Sequence, residues 1–169
     1  MHTHPALVTA EEYLATSFDD GDREYVDGVI VRRNLGEKDH SRLQRKLVVF
    51  FANQERTLST FCFPEQRVQV KATRFRVPDV CVTIGTEPDE QVFRTRPFPV
   101  VEILSNDDRA SELQEKIDDY LTFGVPYVWI IDPRRRCGTV FTSEGSREAK
   151  DGVLRTQDPV IELPLDPLF

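Results

Sequence analysis

The chain has 169 residues, of which 39% are apolar and 30% are charged, and its formal net charge is −7. This length fits a single domain with its own core, and the composition excludes a disordered chain. No apolar run approaches the roughly 20 residues needed to span a bilayer, which excludes a membrane protein. The negative charge also argues against a protein that coats nucleic acid, because phosphate binding depends on concentrated Lys and Arg.

The N-terminal residues and the cysteines indicate the cellular compartment. Residues 1–14 lack the basic end and apolar centre of a signal peptide, so the expected location is the cytoplasm. The cysteines are odd in number, far apart and without Cys-x-x-Cys spacing: Cys62, Cys81 and Cys137. This pattern argues against a disulfide framework and against a zinc site. We expect each cysteine to be a small buried apolar residue.

A short helix is predicted over residues 9–16. Thr9 is placed as its N-cap, and Glu12 three residues later completes a capping box. Val8 and Tyr13 have the spacing of a hydrophobic staple. A β-hairpin follows, because the pair Asp27-Gly28 lies between two strand-like runs and favours a two-residue turn with positive φ at both positions. The hairpin strands contain Glu24 and residues Val29–Arg33.

The rest of the chain alternates between helical and strand-like patterns. From Asp39 onward, apolar residues at helical spacing predict an amphipathic helix of about four turns. A second helix, which Gly124 and Pro126 end, has its N-cap candidates at Ser105, Asn106, Asp107 and Asp108. Strand patterns lie at 60–63, 65–71, 76–84, 97–104, 127–132 and 138–143. From about Gly145 the sequence predicts an irregular tail.

Two strand-like runs, RVPDV and VVEIL, each carry one carboxylate at the centre: Asp79 and Glu102. A charge in a buried strand is costly unless it has a function. If Ile84 faces Pro97 across an antiparallel pair, the register places Asp79 opposite Glu102. Pro78 cannot donate to a β-ladder, which predicts a sheet edge or a bulge beside Asp79.

Asp79 and Glu102, with Lys116 on the following helix, form a set that suits a divalent metal and a phosphodiester. The carboxylates supply the hard oxygen ligands that Mg²⁺ or Mn²⁺ requires, and the lysine supplies positive charge near the scissile phosphate. Without metal, two adjacent carboxylates repel, and they destabilise the fold or share a proton. Spacing alone leaves an alternative open, in which these residues lie on sheet edges or form structural ion pairs.

Several ordered segments between Val8 and Phe141 carry a family resemblance: EYLA, EYVDG, the helix that opens with His40, RVPDV, VVEILS, EKIDDYLTFGV and YVWIIDP. In this order they resemble the Uma-type (Uma-two) restriction endonuclease family of bacteria. The resemblance implies the PD-(D/E)XK nuclease fold, an α/β (α+β) restriction-endonuclease-like core with a mixed central β-sheet flanked by helices. The N-terminal helix and β-hairpin precede this core. We expect one domain over residues 1–169, with the core at about 8–143 and a C-terminal extension at 144–169.

The resemblance also implies the roles of individual residues. Asp79 and Glu102 become the metal-binding pair, and the lysine of the family signature falls at Leu104, so its role passes to Lys116. Glu24 looks like a third acidic member of the site, whereas the sequence alone favours a solvated strand residue. The implied activity is that of a Mg²⁺-dependent or Mn²⁺-dependent endonuclease acting on nucleic acid, with DNA as the expected substrate. A homodimer would place two such sites across the two strands of a duplex.

Basic residues near the start of the long helix are candidates for nucleic-acid binding. His40 is placed to cap the helix, stack on a base or contact phosphate, and a surface histidine without function is the alternative. Arg42, Arg45 and Lys46 are placed to follow a phosphate backbone, although charge runs are usually solvated faces. Two readings other than an enzyme stay open. One is a catalytically inactive nuclease-fold module for nucleic-acid or protein binding, and the other is a buried structural ion-pair cluster.

Overall fold

The computed structural model describes residues 7–19, 21–34 and 36–169. Its α-helices are α1 (Ala10–Ala15), α2 (Lys38–Ala52), α3 (Glu55–Leu58) and α4 (Ala110–Phe123). Its first six strands are β1 (Arg23–Val26), β2 (Val29–Arg32), β3 (Thr60–Pro64), β4 (Val68–Lys71), β5 (Arg74–Arg76) and β6 (Val80–Ile84). The others are β7 (Pro99–Ile103), β8 (Tyr127–Asp132), β9 (Cys137–Thr142), β10 (Gly145–Glu148), β11 (Val153–Arg155) and β12 (Glu162–Pro164), and a 3₁₀ turn follows at Asp166–Leu168.

A six-stranded mixed sheet, in the order β10-β9-β8-β7-β6-β3, forms the centre of the molecule. Its strands β7 and β8 are parallel, and helix α4 makes the crossover that a parallel pair requires. A second sheet has the order β2-β1-β5-β4, and β11 pairs with β12. The predicted mixed central sheet flanked by helices is confirmed.

The two faces of the central sheet pack against different helices. Val80 and Val82 of β6 lie in one apolar cluster with Leu47 of α2. Cys81, between these two valines, lies in a second cluster with Ile117 of α4. Successive strand residues point to opposite faces, so this alternation gives the sheet a core on each side. The cleft described below lies where β7 ends and α4 begins.

The predicted N-terminal helix and hairpin are confirmed. The Thr9 side chain accepts a hydrogen bond from the Glu12 N–H at 3.2 Å, and the Glu12 carboxylate accepts one from the Thr9 N–H at 2.7 Å. Asp27 and Gly28 have φ values of 48° and 92°, as the two-residue turn requires. Tyr13 stacks on a tyrosine of β1 with ring centroids 5.2 Å apart, and this contact anchors α1 on the second sheet.

The strand predicted over residues 76–84 is two strands in the structure, β5 and β6, which belong to different sheets. Residues 77–79 lie between them, and Pro78 is the physical reason, because it has no N–H for a ladder. The register of β6 with β7 is the predicted one, since Val80 faces Val101 and Cys81 faces Val100. Asp79 therefore lies immediately before the strand that pairs with the strand of Glu102.

The predicted start of the second long helix is wrong. Helix α4 begins at Ala110, and its N-cap residue is Arg109, which makes no side-chain capping bond. The cap candidates at 105–108 instead form a loop, in which the Asp108 carboxylate accepts a hydrogen bond from the Ser105 N–H at 2.6 Å. A carboxylate that closes its own turn competes with the helical backbone for the same donors. At its other end α4 stops at Gly124 as predicted, with φ at 98°.

The predicted irregular tail is also wrong. Residues beyond 144 form three short strands and the 3₁₀ turn, and the buried residues Leu154, Leu163 and Leu165 belong to the main core cluster. A Cβ added to Gly138 would lie 3.1 Å from the Leu154 side chain, so the C-terminal segment packs directly against strand β9. Strands of three or four residues are too short to show an alternating pattern, which explains the incorrect prediction.

Two expectations from composition concern the cysteines and the membrane. All three cysteines are free, but only Cys81 is buried, whereas Cys62 and Cys137 are partly exposed. Burial of its thiol still raises the pKa of Cys62 to about 12. No helix within the described residues combines the length and the hydropathy needed to cross a bilayer.

Candidate active site

A cleft of about 260 Å³ lies between the end of β2, the end of β7 and the first turns of α4. The four residues predicted as catalytic all line it: Glu24, Asp79, Glu102 and Lys116. His40, Arg33 and Leu104 line it as well. The structure therefore brings together side chains from six separate segments of the chain.

Asp79 is almost fully buried, and both of its carboxylate oxygens have partners. Oδ2 accepts a hydrogen bond from the Ile103 N–H at 2.7 Å. Oδ1 accepts one from Arg33 at 2.8 Å and lies 3.2 Å from Nε2 of His40. Burial alone would raise the pKa of Asp79, but the hydrogen bond and charge of His40 and the charge of Arg33 outweigh it and lower the pKa.

Glu102 projects from β7 into the same cleft, and burial dominates its chemistry. Its Oε1 accepts a hydrogen bond from the Tyr120 hydroxyl at 2.7 Å, and its Oε2 lies 3.8 Å from Nζ of Lys116. The pKa of Glu102 is raised to about 7, because burial and the charges of Asp79 and Glu24 together outweigh the opposing charge of Lys116. A cation placed beside this carboxylate would relieve the cost of ionising it.

Lys116 is bound more closely by Glu24 than by Glu102. Its Nζ lies 3.1 Å from Oε1 of Glu24. Glu24 is 1% exposed, so the sequence-based alternative of a solvated strand residue is wrong. Burial would lower the pKa of Lys116, but the charges of Glu102 and Glu24 outweigh it, and the pKa is raised. Lys116 is therefore an ammonium in the metal-free protein.

The buried Arg76 fixes Glu24 from the other side. Nη1 of Arg76 donates to Oε2 of Glu24 at 2.9 Å, and the Val77 N–H donates to Oε1 at 3.2 Å. Nε of Arg76 also donates to Asp119 on α4 at 2.8 Å, and Asp119 in turn pairs with Arg74. This network connects the second sheet to α4 beneath the cleft.

The predicted nucleic-acid-binding residues separate into two groups. His40 reaches the cleft and contacts Asp79. Arg42 is half-exposed and pairs with Asp39 at 3.0 Å, and Lys46 donates to the Pro167 carbonyl at 2.8 Å. Arg42, Arg45 and Lys46 do not line the cleft. Their contact with nucleic acid stays a prediction without support from the geometry of the site.

Sequence reasoning missed Arg33, Arg76, Asp119 and Tyr120 as members of the site. Tyr120 and Asp119 lie four and three residues beyond Lys116, so helical spacing places them beside it, and this signal was available. No signal of this kind exists for Arg33 or Arg76, because each meets its partner through tertiary structure alone.

The donor set fits a magnesium or manganese ion. Among the residues that the structure describes, no group of three or more His, Cys, Asp and Glu side chains is arranged to hold a metal ion. Mg²⁺, however, commonly uses one or two carboxylates and keeps several waters. The buried carboxylates of Asp79 and Glu102 line a cleft with room for such waters, which satisfies this requirement.

We expect Glu102 to make the metal-free protein less stable as pH rises from about 4.5 to about 7. The folded pKa of about 7 lies above the ordinary value of 4.5, so this contribution is complete below pH 4.5 and is lost as pH rises through 7. The loss should be about 3 kcal/mol, since each pKa unit corresponds to about 1.4 kcal/mol. Urea unfolding of wild type and Glu102→Gln on both sides of this window measures it.

The difference between the two proteins isolates Glu102. Asp79 and Glu24 have lowered pKa values, so they contribute stability that is lost at low pH in both proteins. If wild type and Glu102→Gln show the same change across the window, the ionisation of Glu102 does not affect folding.

Comparison with known proteins gives two matches of different kinds. The structure resembles that of a protein described as "a putative nuclease belonging to DUF820 from Anabaena variabilis", with a TM-score of 0.81. The two chains are 22% identical, and the match covers 96% of this chain and 97% of the other, which shows a shared fold. Comparison with functionally curated proteins gives no match.

The second match is to a family. The sequence profile of Uma2, described as "Putative restriction endonuclease", matches residues 10–166. The matched range runs from the first residue of α1 into the final 3₁₀ turn, so it contains every residue of the cleft described above. The chain therefore belongs to the Uma2 family.

Proposed function

We propose that this protein is an endonuclease that hydrolyses phosphodiester bonds of nucleic acid with Mg²⁺ or Mn²⁺, and that DNA is its substrate. The observation that carries the proposal is the convergence of Asp79, Glu102 and Lys116 on one cleft that opens to solvent. A buried pair of carboxylates with a lysine beside them is costly to fold, and divalent-ion chemistry gives a physical reason for it.

Asp79 and Glu102 are the residues that would hold the ion. When bound, it would supply Lewis-acid activation of the scissile phosphate and of water. The N–H of Ile103 fixes the Asp79 carboxylate, and the Tyr120 hydroxyl fixes that of Glu102. Carboxylate oxygens that hydrogen bonds already fix in position need little reorganisation when negative charge develops at the phosphate.

Lys116 orients water or phosphate and stabilises the developing negative charge. Its raised pKa makes it a donor of hydrogen bonds, so its role in the resting protein is positional and electrostatic. Glu24 is a positioning residue, because it holds Nζ at 3.1 Å while its own carboxylate is fixed by Arg76. The lysine is thereby kept in the cleft although α4, and not the β7 strand, supplies it.

The cleft is lined by acidic and basic side chains together, and its basic side chains suit contact with a polyanion. Its lining includes Arg32, Arg33, His40 and Arg109. Contacts of this kind with phosphate make binding depend on salt concentration. A homodimer that places one cleft on each strand of a nucleic-acid duplex stays a prediction.

Cleavage and metal uptake together test the proposal. Wild type should cut plasmid or oligonucleotide DNA when Mg²⁺ or Mn²⁺ is added, and calorimetry should show Mn²⁺ uptake that Glu102→Gln loses. An RNA oligonucleotide of the same sequence distinguishes the two substrates. Wild type that cuts neither nucleic acid under these conditions would contradict the proposal.

We expect Lys116→Met to separate chemistry from metal binding. Cleavage should fall by about 10²-fold to 10³-fold, because a charge aimed at the transition state is lost. Mn²⁺ uptake should be retained, because the two carboxylates remain. Initial cleavage rates and calorimetry on the same preparation measure both. Lys150→Met, an exposed lysine outside the cleft, is the control, and an equal rate for both variants would remove Lys116 from the mechanism.

One observation favours a second candidate function, a nuclease-fold module that binds nucleic acid or protein without turnover. Asp79 already pairs with Arg33 and contacts His40 in the structure. A site that no longer uses metal would keep such pairs permanently. In that case calorimetry should show no Mn²⁺ uptake by wild type, and Glu102→Gln should lose nothing.

A further inference from the structure

We propose that Arg33 takes the place of the divalent ion at Asp79 in the resting protein and turns to the scissile phosphate when the ion binds. This inference rests on the proposed function and adds a residue that regulates the same site. The guanidinium is a resident counter-charge that metal must displace.

The contacts of Arg33 place it at the metal position. Its Nη2 lies 2.8 Å from Oδ1 of Asp79, and the side chains are 15% and 5% exposed. Oδ2 already accepts the Ile103 N–H, so Oδ1 is the oxygen left for an ion. Arg33 and His40 both occupy that oxygen, and the ion must compete with them.

Electrostatics makes this competition unavoidable. Asp79 without a partner would be a buried unpaired charge, and such charges strongly destabilise a fold. Arg33 removes that cost in the absence of metal. A divalent ion on the same carboxylate would repel the guanidinium strongly at this short range. Two cations that share one carboxylate oxygen therefore favour the release of Arg33.

Glu65 gives the released guanidinium a second anchor. Its Oε1 lies 3.4 Å from Nη1 of Arg33, and its side chain is 47% exposed. Arg33 can thus leave Asp79 without leaving the site. A planar guanidinium matches phosphate oxygens with two parallel hydrogen bonds, so the cleft gains a phosphate donor as the ion enters.

The test measures metal binding and nucleic-acid binding separately. Arg33→Met should bind Mn²⁺, added alone as MnCl₂, about tenfold more tightly than wild type in calorimetry. The same variant should bind a fluorescent DNA oligonucleotide in Ca²⁺ about tenfold more weakly, measured by anisotropy. Arg147→Met is the control for net charge, because Arg147 is exposed on the edge strand β10, and neither affinity should change.

Opposite changes in the two affinities support the proposal, since a purely structural arginine would weaken both. Unchanged Mn²⁺ affinity in Arg33→Met overturns it. If Arg33→Met does not fold, as judged by its thermal melt, Arg33→Lys replaces it. The lysine keeps the positive charge but lacks the planar guanidinium that donates two parallel hydrogen bonds to phosphate. Oligonucleotide binding should therefore fall, while Mn²⁺ affinity stays within about twofold of wild type. Unchanged oligonucleotide binding in that variant also overturns the proposal.

The outcome for wild type distinguishes this inference from the proposed function. Mn²⁺ uptake by Arg33→Met but not by wild type would contradict the endonuclease and support Arg33 as the resident counter-charge. Cleavage by wild type with equal Mn²⁺ affinities in both proteins would support the endonuclease and overturn the inference. Absence of Mn²⁺ uptake in both proteins would overturn both.

Discussion

Asp79→Asn should abolish metal uptake and reduce cleavage by about 10³-fold or more. Asparagine has nearly the same shape and keeps an acceptor for the Ile103 N–H, but it lacks the negative charge that a hard cation needs. The loss corresponds to the several kcal/mol of transition-state stabilisation that a bound ion contributes. Calorimetry with Mn²⁺ and initial rates of plasmid cleavage measure the two effects on the same protein.

Asp118→Asn is the matched control for Asp79→Asn. Asp118 is an exposed residue of α4, two positions from Lys116, and its carboxylate accepts a hydrogen bond from Gln114. Asp118→Asn changes the net charge by the same amount as Asp79→Asn but leaves the cleft intact, so cleavage should stay near the wild-type rate. Cleavage by Asp79→Asn at the rate of this control would exclude Asp79 as a metal ligand.

Arg76→Met should destabilise the fold by about 3–5 kcal/mol. Arg76 is 3% exposed and contacts Glu24 at 2.9 Å and Asp119 at 2.7 Å. Removing one partner of a buried ion pair leaves the other charge without compensation, which costs more than the pair itself contributes. Urea unfolding, with the midpoint and slope measured separately, gives the change in the free energy of unfolding.

An exposed arginine with a comparable set of partners provides the control. Arg155 pairs with Asp151 at 2.6 Å and with Glu162 at 2.9 Å, but it is 37% exposed. Arg155→Met should leave the free energy of unfolding close to that of wild type, because solvent screens exposed pairs and replaces their hydrogen bonds. Similar losses in the two variants would show that burial does not determine the strength of the Arg76 contacts.

Local sequence patterns predicted much of the fold because they reflect short-range physics. The Thr9 capping box, the Asp27-Gly28 turn and the Gly124 helix end each depend on a few adjacent residues. The register of β6 with β7 was also predictable, since the alternation of both strands allows one pairing that buries their apolar faces. The same register placed Asp79 beside the strand of Glu102.

Other features depended on contacts between distant residues. The break at Pro78 assigns β5 and β6 to different sheets, and the short C-terminal strands complete the main core. Helix α4 begins at Ala110, later than predicted, because the Asp108 carboxylate of the preceding loop accepts a local hydrogen bond. In each case two structures compete over small differences in free energy, and the tertiary environment decides between them.

The sequence by itself identified Asp79, Glu102 and Lys116 as the candidate site residues, because two carboxylates lie in apolar strand-like segments and a lysine follows on the next predicted helix. Only the tertiary structure decided what these charges contact. Glu24 proved to be buried, Arg33 pairs with Asp79, and Arg76 and Tyr120 hold the remaining carboxylates. The physical reason is that the cost of a buried charge is local, whereas the partner that offsets it can come from any part of the chain.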